Sequence, residues 1–252
     1  MNRLSYDLAA PIGCRATLGL IALQTDETIE PEVSGIFPRD GVATYVTRIP
    51  SGAEVTPDTL REMEAALPAS AGLLPCSVDF DVIGYGCTSG ATLIGPDRVA
   101  DLVKTATGAR HVTNPITAVI AACRALDVRR LGFITPYVAE VSAPMRATLE
   151  AAGIEIASFA SFEEPEEAKV ARISPQSIRA AISDVAAAAE SDAVFVSCTN
   201  LHALPIIAGA EAEIARPVIS SNQALAWHMM RLAGLSDNVP GCGALYDRAA
   251  LH

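Results

Sequence analysis

Apolar runs of strand length alternate along this chain with Ala-rich or amphipathic runs of helix length. The stretches "LGLIAL" (18–23), "VATYVTRI" (42–49), "FDVIGYG" (80–86), "RLGFIT" (130–135), "IEIASF" (154–159) and "DAVFVS" (192–197) read as strands. Between them, "TPDTLREMEAAL" (56–67) and "SPQSIRAAISDVAAAAE" (174–190) each open on a hydroxyl residue followed by proline. That is the signature of an N-cap with proline in the first turn, and neither stretch contains an internal breaker. The alternation predicts an α/β protein with largely parallel sheets.

The pattern also repeats. Gly19 and Gly132 stand 113 positions apart, Cys87 and Cys198 stand 111 apart, and Val112 and Val218 stand 106 apart. Thr56 and Ser174, which open the two capped helices, fit a similar offset. Landmarks repeated in one order imply two pseudo-symmetric doubly wound parallel-sheet halves with a site between them. The expected division gives residues 1–115 and 218–252 to the first half, with a C-terminal return, and 116–217 to the second.

Composition narrows the function. Half of the 252 residues are hydrophobic, enough for a sizeable core. No apolar run reaches the roughly 18 residues of a membrane span, and "MNRLSYDLAAPIGC" lacks the apolar core of a signal peptide, so a cytoplasmic protein is expected. The formal charge is −11, without a Lys/Arg cluster and with few aromatics, which argues against nucleic acid and anionic membrane as partners. Six cysteines without a C-x-x-C pair point to free thiols rather than to a disulfide framework or a zinc site. No metal and no cofactor is expected, and the chain is expected to assemble as a homo-oligomer. The dense charge run "SFEEPEEAK" (161–169) reads as a solvated loop.

Candidate chemistry lies where two strands end. "GYGCTSG" and "VSCTN" each put a cysteine at a strand's carboxyl end, where an open parallel sheet binds ligands and helix N-termini offer free N–H groups. The residues that follow, Thr88, Ser89, Thr199 and Asn200, are suited to wrapping a carboxylate. A lone cysteine after a buried strand is ordinarily a small apolar filler. The pairing argues otherwise: Cys14, Cys76, Cys123 and Cys242 have no counterpart in the other half, and Cys123 falls on an apolar helical face as a core residue would.

The duplicated halves, "GCTSG", "SCTN" and the "ITPY" after the fourth strand resemble the aspartate/glutamate racemase superfamily, nearest its maleate isomerase and arylmalonate decarboxylase branch. The resemblance covers nearly the whole chain, with the cysteine motifs its most specific part. It implies cofactor-independent chemistry on a small carboxylic acid, with Cys87 and Cys198 as acid and base or as nucleophile and acid. It also implies that Tyr137 helps bind a substrate carboxylate. Helix N-termini would draw one thiol toward neutrality, so that one cysteine is thiolate while the other stays protonated.

Two positions depart from that pattern. Maleate isomerases carry a carboxylate-binding asparagine after the first strand, where "LQTDETIE" places Asp26, and a second where this chain has Glu166 and Glu167. An amide donates to a carboxylate and an ionised acid cannot, so an amino or N-acylamino acid fits better than maleate. The plainer reading of Asp26 is a helix N-cap. The wording "LQTD" and "GYGCTSG" also resembles a subgroup associated with ectoine utilisation. Gln24 is a candidate pocket amide, or a simple loop former. His202, four residues after Cys198, is a candidate for tuning the thiol's charge, or merely packs. Two other classes remain: an arylmalonate-type decarboxylase using Cys198 alone, which Cys87 disfavours, and a non-catalytic small-molecule binder of two α/β halves.

Overall fold

In the computed structural model, which describes residues 3–248, the alternation becomes two four-stranded parallel sheets of identical connectivity. The first half contains β1 (Ala16–Leu23), α1 (Ile29–Ile36), β2 (Val42–Ile49), α2 (Pro57–Ala71), β3 (Val82–Gly86), α3 (Thr88–Ile94), α4 (Pro96–Thr107) and β4 (His111–Thr113), ordered β2-β1-β3-β4. α5 (Pro115–Ala125) leads to the second half: β5 (Arg130–Thr135), α6 (Ala139–Ala151), β6 (Glu155–Ser161), α7 (Glu167–Val170), α8 (Pro175–Ala188), β7 (Ala193–Val196), α9 (Ile207–Ile214) and β8 (Val218–Ser220), ordered β6-β5-β7-β8. α10 (Ser221–Leu232) and α11 (Ala244–Arg248) follow. The duplication read from the spacing is therefore a duplication of topology.

Burial follows from position in the sheet. Every residue of β1, β3 and β7 is buried, as central strands covered on both faces require. β2, at an edge, mixes buried with exposed positions. β4 and β8 have three residues each, too few for a period to register, and the strand pattern in the sequence passes over both. The capped helices form as expected. Thr56 accepts from the Thr59 N–H at 3.2 Å, Thr59 reciprocally accepts from the Thr56 N–H at 3.0 Å, and Ser174 accepts from the Ser177 N–H at 3.1 Å. α2 runs on through Pro68 to Ala71, because the proline loses only its own N–H while its carbonyl is closed by Gly72 at 3.0 Å.

The C-terminal return is carried by α10, which packs on α5 and on β3 and β4 of the first half. β8 itself pairs with β7, Val218 opposite Val194, and so completes the second sheet rather than the first. The final positions of the expected division, 249–252, lie outside the described residues. The buried apolar residues of both halves form one continuous core, in which Trp227 is the largest side chain with no exposure. Among the described residues no helix is long and apolar enough to cross a membrane.

Candidate active site

β3 ends at Gly86, and Cys87 follows as the N-cap of α3. Its Sγ accepts the Gly90 N–H at 3.2 Å and lies 3.8 Å from the Ser89 hydroxyl. A Cβ on Gly90 would fall 2.9 Å from that sulfur and 2.8 Å from the Tyr85 hydroxyl, so the turn closes tightly on the thiol only because position 90 has no side chain. Cys87 is 4% exposed, and burial pushes its thiol up to about 12. The Gly90 and Ser89 contacts pull it down, while Glu167 and Asp26 raise it further. Desolvation thus outweighs the helix N-terminus, contrary to the expectation that the N-termini alone set the charge state.

Cys198, just past β7, is equally buried. Its φ of 138° lies in a region that residues with a side chain rarely adopt, and such backbone strain costs about 1–3 kcal/mol. The conformation is held by its own N–H, which donates to the Ser221 hydroxyl at 3.0 Å. The sulfur receives the Asn200 N–H at 3.2 Å and lies 3.0 Å from the Tyr137 hydroxyl. Tyr137 in turn donates to Glu167 Oε1 at 2.7 Å, and Asn200 Nδ2 donates to Glu167 Oε2 at 2.6 Å. Burial, then the charge of Glu167, raise this thiol well above its ordinary value, against the Tyr137 and Asn200 contacts.

Hydrogen bonds across the halves stitch the two strand ends together. Thr88 shares one with Ser221 at 2.9 Å, the same hydroxyl that holds the Cys198 peptide, and Thr199 donates to the Gly86 carbonyl at 3.3 Å. Asp26 and Glu167 act electrostatically on both thiols. The structure therefore gathers Cys87, Thr88, Ser89, Tyr137, Cys198, Thr199, Asn200 and Asp26 into one buried cluster spanning the halves.

The two oxygens of Asp26 have different surroundings. Oδ1 accepts from the N–H groups of Thr28 and Ile29, both at 2.8 Å, and so caps the start of α1. Oδ2 is buried without a hydrogen-bond partner, although the Thr199 side chain helps hold the pKa down. Burial nevertheless raises the carboxyl above its ordinary range. Gln24 stays outside the cluster: its side chain is exposed, and its backbone serves the loop by bonding Ile49 and Arg48. His202 pairs with Glu32, Nδ1 to Oε1 at 3.2 Å, with its side chain 46% exposed.

Some neighbours of the cluster are not legible in the sequence, and Glu167 is legible only as one of the Glu166–Glu167 pair. The run at 161–169 does not stay in solvent as a whole. Glu166 is half-exposed beside Lys169, but Glu167 turns inward to 2% exposure. The segment is docked on the first half by Glu167 N–H to the Ala53 carbonyl at 3.1 Å and Val55 N–H to the Pro165 carbonyl at 3.1 Å. Ser221, Asn222 and Glu32 carry no signal in the sequence that sets them apart. Glu32 accepts from Asn222 Nδ2 at 2.8 Å, and the same nitrogen holds the Thr199 carbonyl at 2.7 Å.

The arylmalonate decarboxylase family model matches residues 89–246. The chain belongs to the arylmalonate decarboxylase family. Within reach of this family member, the maleate isomerase of Nocardia farcinica is 28% identical over 239 residues, covering 90% of this chain and 94% of the relative. The arylmalonate decarboxylase of Bordetella bronchiseptica is 29% identical over 243 residues, covering 88% and 95%. Among solved structures, a cysteine-to-serine mutant of the Nocardia farcinica maleate cis-trans isomerase with a covalently bound succinylcysteine intermediate superposes with a TM-score of 0.84. It is 26% identical and covers 93% of this chain and 99% of its own. None of these relatives bears on the expected ectoine-utilisation subgroup. What this family member's cluster offers chemically is two thiols, two carboxyls and a phenol in a closed space. Among its described residues no group of three or more His, Cys, Asp and Glu is arranged to hold a metal.

Proposed function

We propose that the chain is a cofactor-independent isomerase or racemase of a small carboxylic acid, with Cys87 and Cys198 acting on one substrate from opposite halves. The observation that carries this reading is the pair of buried thiols at equivalent strand ends, joined across the halves through Thr88, Ser221 and Thr199. For racemisation, one thiolate removes the α-proton and the opposite thiol returns one to the other face. For cis-trans isomerisation, one thiolate adds to the double bond, the new single bond rotates, and elimination releases the thiolate again. The succinylcysteine in the Nocardia enzyme is a sulfur–carbon bond of the second kind. Thr88, Ser89, Thr199 and Asn200 are the proposed carboxylate-binding groups.

The finer reading concerns what the substrate carries opposite its carboxylate. Asp26 Oδ2 lacks a donor and Glu167 lies in the same cluster, so an ammonium or amide N–H is held there and a second carboxylate is repelled. The test is a panel of amino, N-acylamino and unsaturated acids in deuterated solvent, followed by NMR and chiral chromatography. Solvent deuterium at the stereocentre, or a cis-to-trans change, is expected. Cys87→Ser and Cys198→Ser should each lower turnover by about 10² to 10⁴ with the fold intact. Full activity in Cys87→Ser with loss in Cys198→Ser would favour the decarboxylase, and binding without turnover, indifferent to both substitutions, would favour a binder.

A further inference from the structure

We propose that Glu167 is the internal proton acceptor for Cys198, reached through the Tyr137 hydroxyl; the inference rests on the two-thiol reading and deepens it. The direction of the hydrogen bonds fixes the relay. A phenol has one proton to give, and Tyr137 gives it to Glu167 Oε1 at 2.7 Å. The 3.0 Å contact between the Tyr137 oxygen and Cys198 Sγ must then be donated by the thiol. The chain therefore runs S–H to O–H to carboxylate, with every proton aimed at Glu167.

The transfer balances without a co-reactant. The Cys198 S–H bond breaks as its proton moves to the Tyr137 oxygen, and the Tyr137 O–H bond breaks as that proton moves to Glu167 Oε1. Tyr137 ends as it began, Glu167 becomes a neutral acid, and Cys198 becomes a thiolate. The new thiolate accepts from the Tyr137 O–H and keeps the Asn200 N–H at 3.2 Å. Asn200 Nδ2 donates to Oε2 at 2.6 Å, so the travelling proton is received at Oε1, the oxygen that meets Tyr137.

Electrostatics favours this route over ionisation to solvent. The titratable groups facing Glu167 are Tyr137, Cys198 and, at longer range, Asp26 and Cys87. A proton lost to bulk would leave a third negative charge beside Asp26 and Glu167. The relay only moves a charge already there. Burial raises Glu167 above the ordinary carboxylate range, which makes it a better proton acceptor for a thiol. An amide at position 167 could hold Tyr137 in place but could not accept and keep the proton. Glu167 is thus a positioning residue that acts through Tyr137.

The relay predicts a titration signature that packing alone does not produce. Once Glu167 has lost its proton to solvent, the internal exchange conserves protons, and the thiolate fraction of Cys198 stops depending on pH. Iodoacetamide labelling of Cys198, followed by mass spectrometry against N-acetylcysteine, reads this without substrate, so its failure leaves the isomerase reading standing. Between about pH 7 and 9 the native rate should change less than about threefold, whereas in Glu167→Gln it should rise about tenfold per pH unit. Tyr137→Phe keeps the acid but removes the phenol that carries the proton and bonds the new thiolate, so it should keep the plateau at a rate lower by about tenfold or more, and circular dichroism confirms that each variant is folded. A native rate climbing tenfold per pH unit throughout, or a Tyr137→Phe plateau at the native rate, would overturn the proposal.

Discussion

Raising the pH should weaken the native state through one buried carboxylate, Glu32. It lies on α1 at 3% exposure, accepts from the Leu204 N–H at 2.9 Å and from Asn222 Nδ2 at 2.8 Å, and so ties the first half to the loop after Cys198. Burial lifts its pKa from 4.5 to about 7, against the pull of those donors. A group whose native pKa lies above its unfolded value holds its proton more tightly when folded. The stability this contributes is complete below the unfolded pKa and is lost as pH climbs through the native one. At about 1.4 kcal/mol per tenfold, the loss between pH 4.5 and 7 is roughly 3 kcal/mol. For a chain of this size that is about 6 to 12 °C in Tm.

The perturbation is Glu32→Gln, and the readout is the difference in Tm between native and variant proteins at intervals from about pH 4.5 to 8. A constant offset from altered hydrogen bonding drops out, because only the change of the difference with pH counts. The native protein should lose its advantage by the stated amount as pH rises, with the curve flattening above the native pKa. His202→Gln is the control. A protonated imidazole 3.2 Å from Glu32 Oε1 would draw the acid toward ionisation and shrink the effect. Parallel Tm curves for native and Glu32→Gln across the range would refute the reasoning.

Asp26→Asn should shift substrate preference, since Oδ1 can go on capping α1 while an amide donor replaces the unpartnered Oδ2. The expected outcome is a fall in kcat/KM on the amine-bearing acid and a gain on maleate, and efficient maleate turnover by the native chain that Asn leaves unchanged would count against it. Gly90→Ala would put a methyl group 2.9 Å from the Cys87 sulfur and 2.8 Å from the Tyr85 hydroxyl. Displacing the reacting sulfur on the order of an ångström should lower kcat about 10²-fold with little change in far-UV circular dichroism, and native-like kcat would show that the turn has slack.

What was legible in the sequence, and what was not, divides along a physical line. The central strands could be read because burial on both faces makes them continuously apolar, and the cysteines could be read because the duplication repeats them at the same place in each half. β4 and β8 escaped because three residues cannot display a period. Asp26 was visible as a departure and as a candidate N-cap, but which oxygen caps α1 and which stays unpartnered depends on the fold. Glu166 and Glu167 could be read together as standing where maleate isomerases carry a second asparagine, and only the docking of that segment on Ala53 and Val55 selects Glu167 for the interior. The burial that raises both thiols was not legible, because helix N-termini are written in the sequence and desolvation is not.

The closed cluster also says how a substrate must arrive. Both thiols are 4% exposed, and the space beside Glu167, bounded by Leu23, Thr25, Ser51 and Met63, holds only about 10 Å³. A larger cavity of about 600 Å³ lies between α1 and β2 near Val33 and Phe37, and none of its lining residues belongs to the cluster. Entry therefore requires the loops over the thiols to part. What holds them together includes the exposed Arg172–Glu27 pair at 2.9 Å, the Glu27 N–H to Asn200 Oδ1 at 2.9 Å, the Thr28 hydroxyl to the Asn200 carbonyl at 3.0 Å, the two bonds docking Glu167 and Val55, and buried Glu32, which accepts from Leu204 N–H at 2.9 Å and Asn222 Nδ2 at 2.8 Å. Three of these contacts end on Asn200 or Glu167, the residues that hold Cys198 and its proton path. A substitution that cut those contacts would therefore be expected to loosen the hydrogen bonds around Cys198 as well.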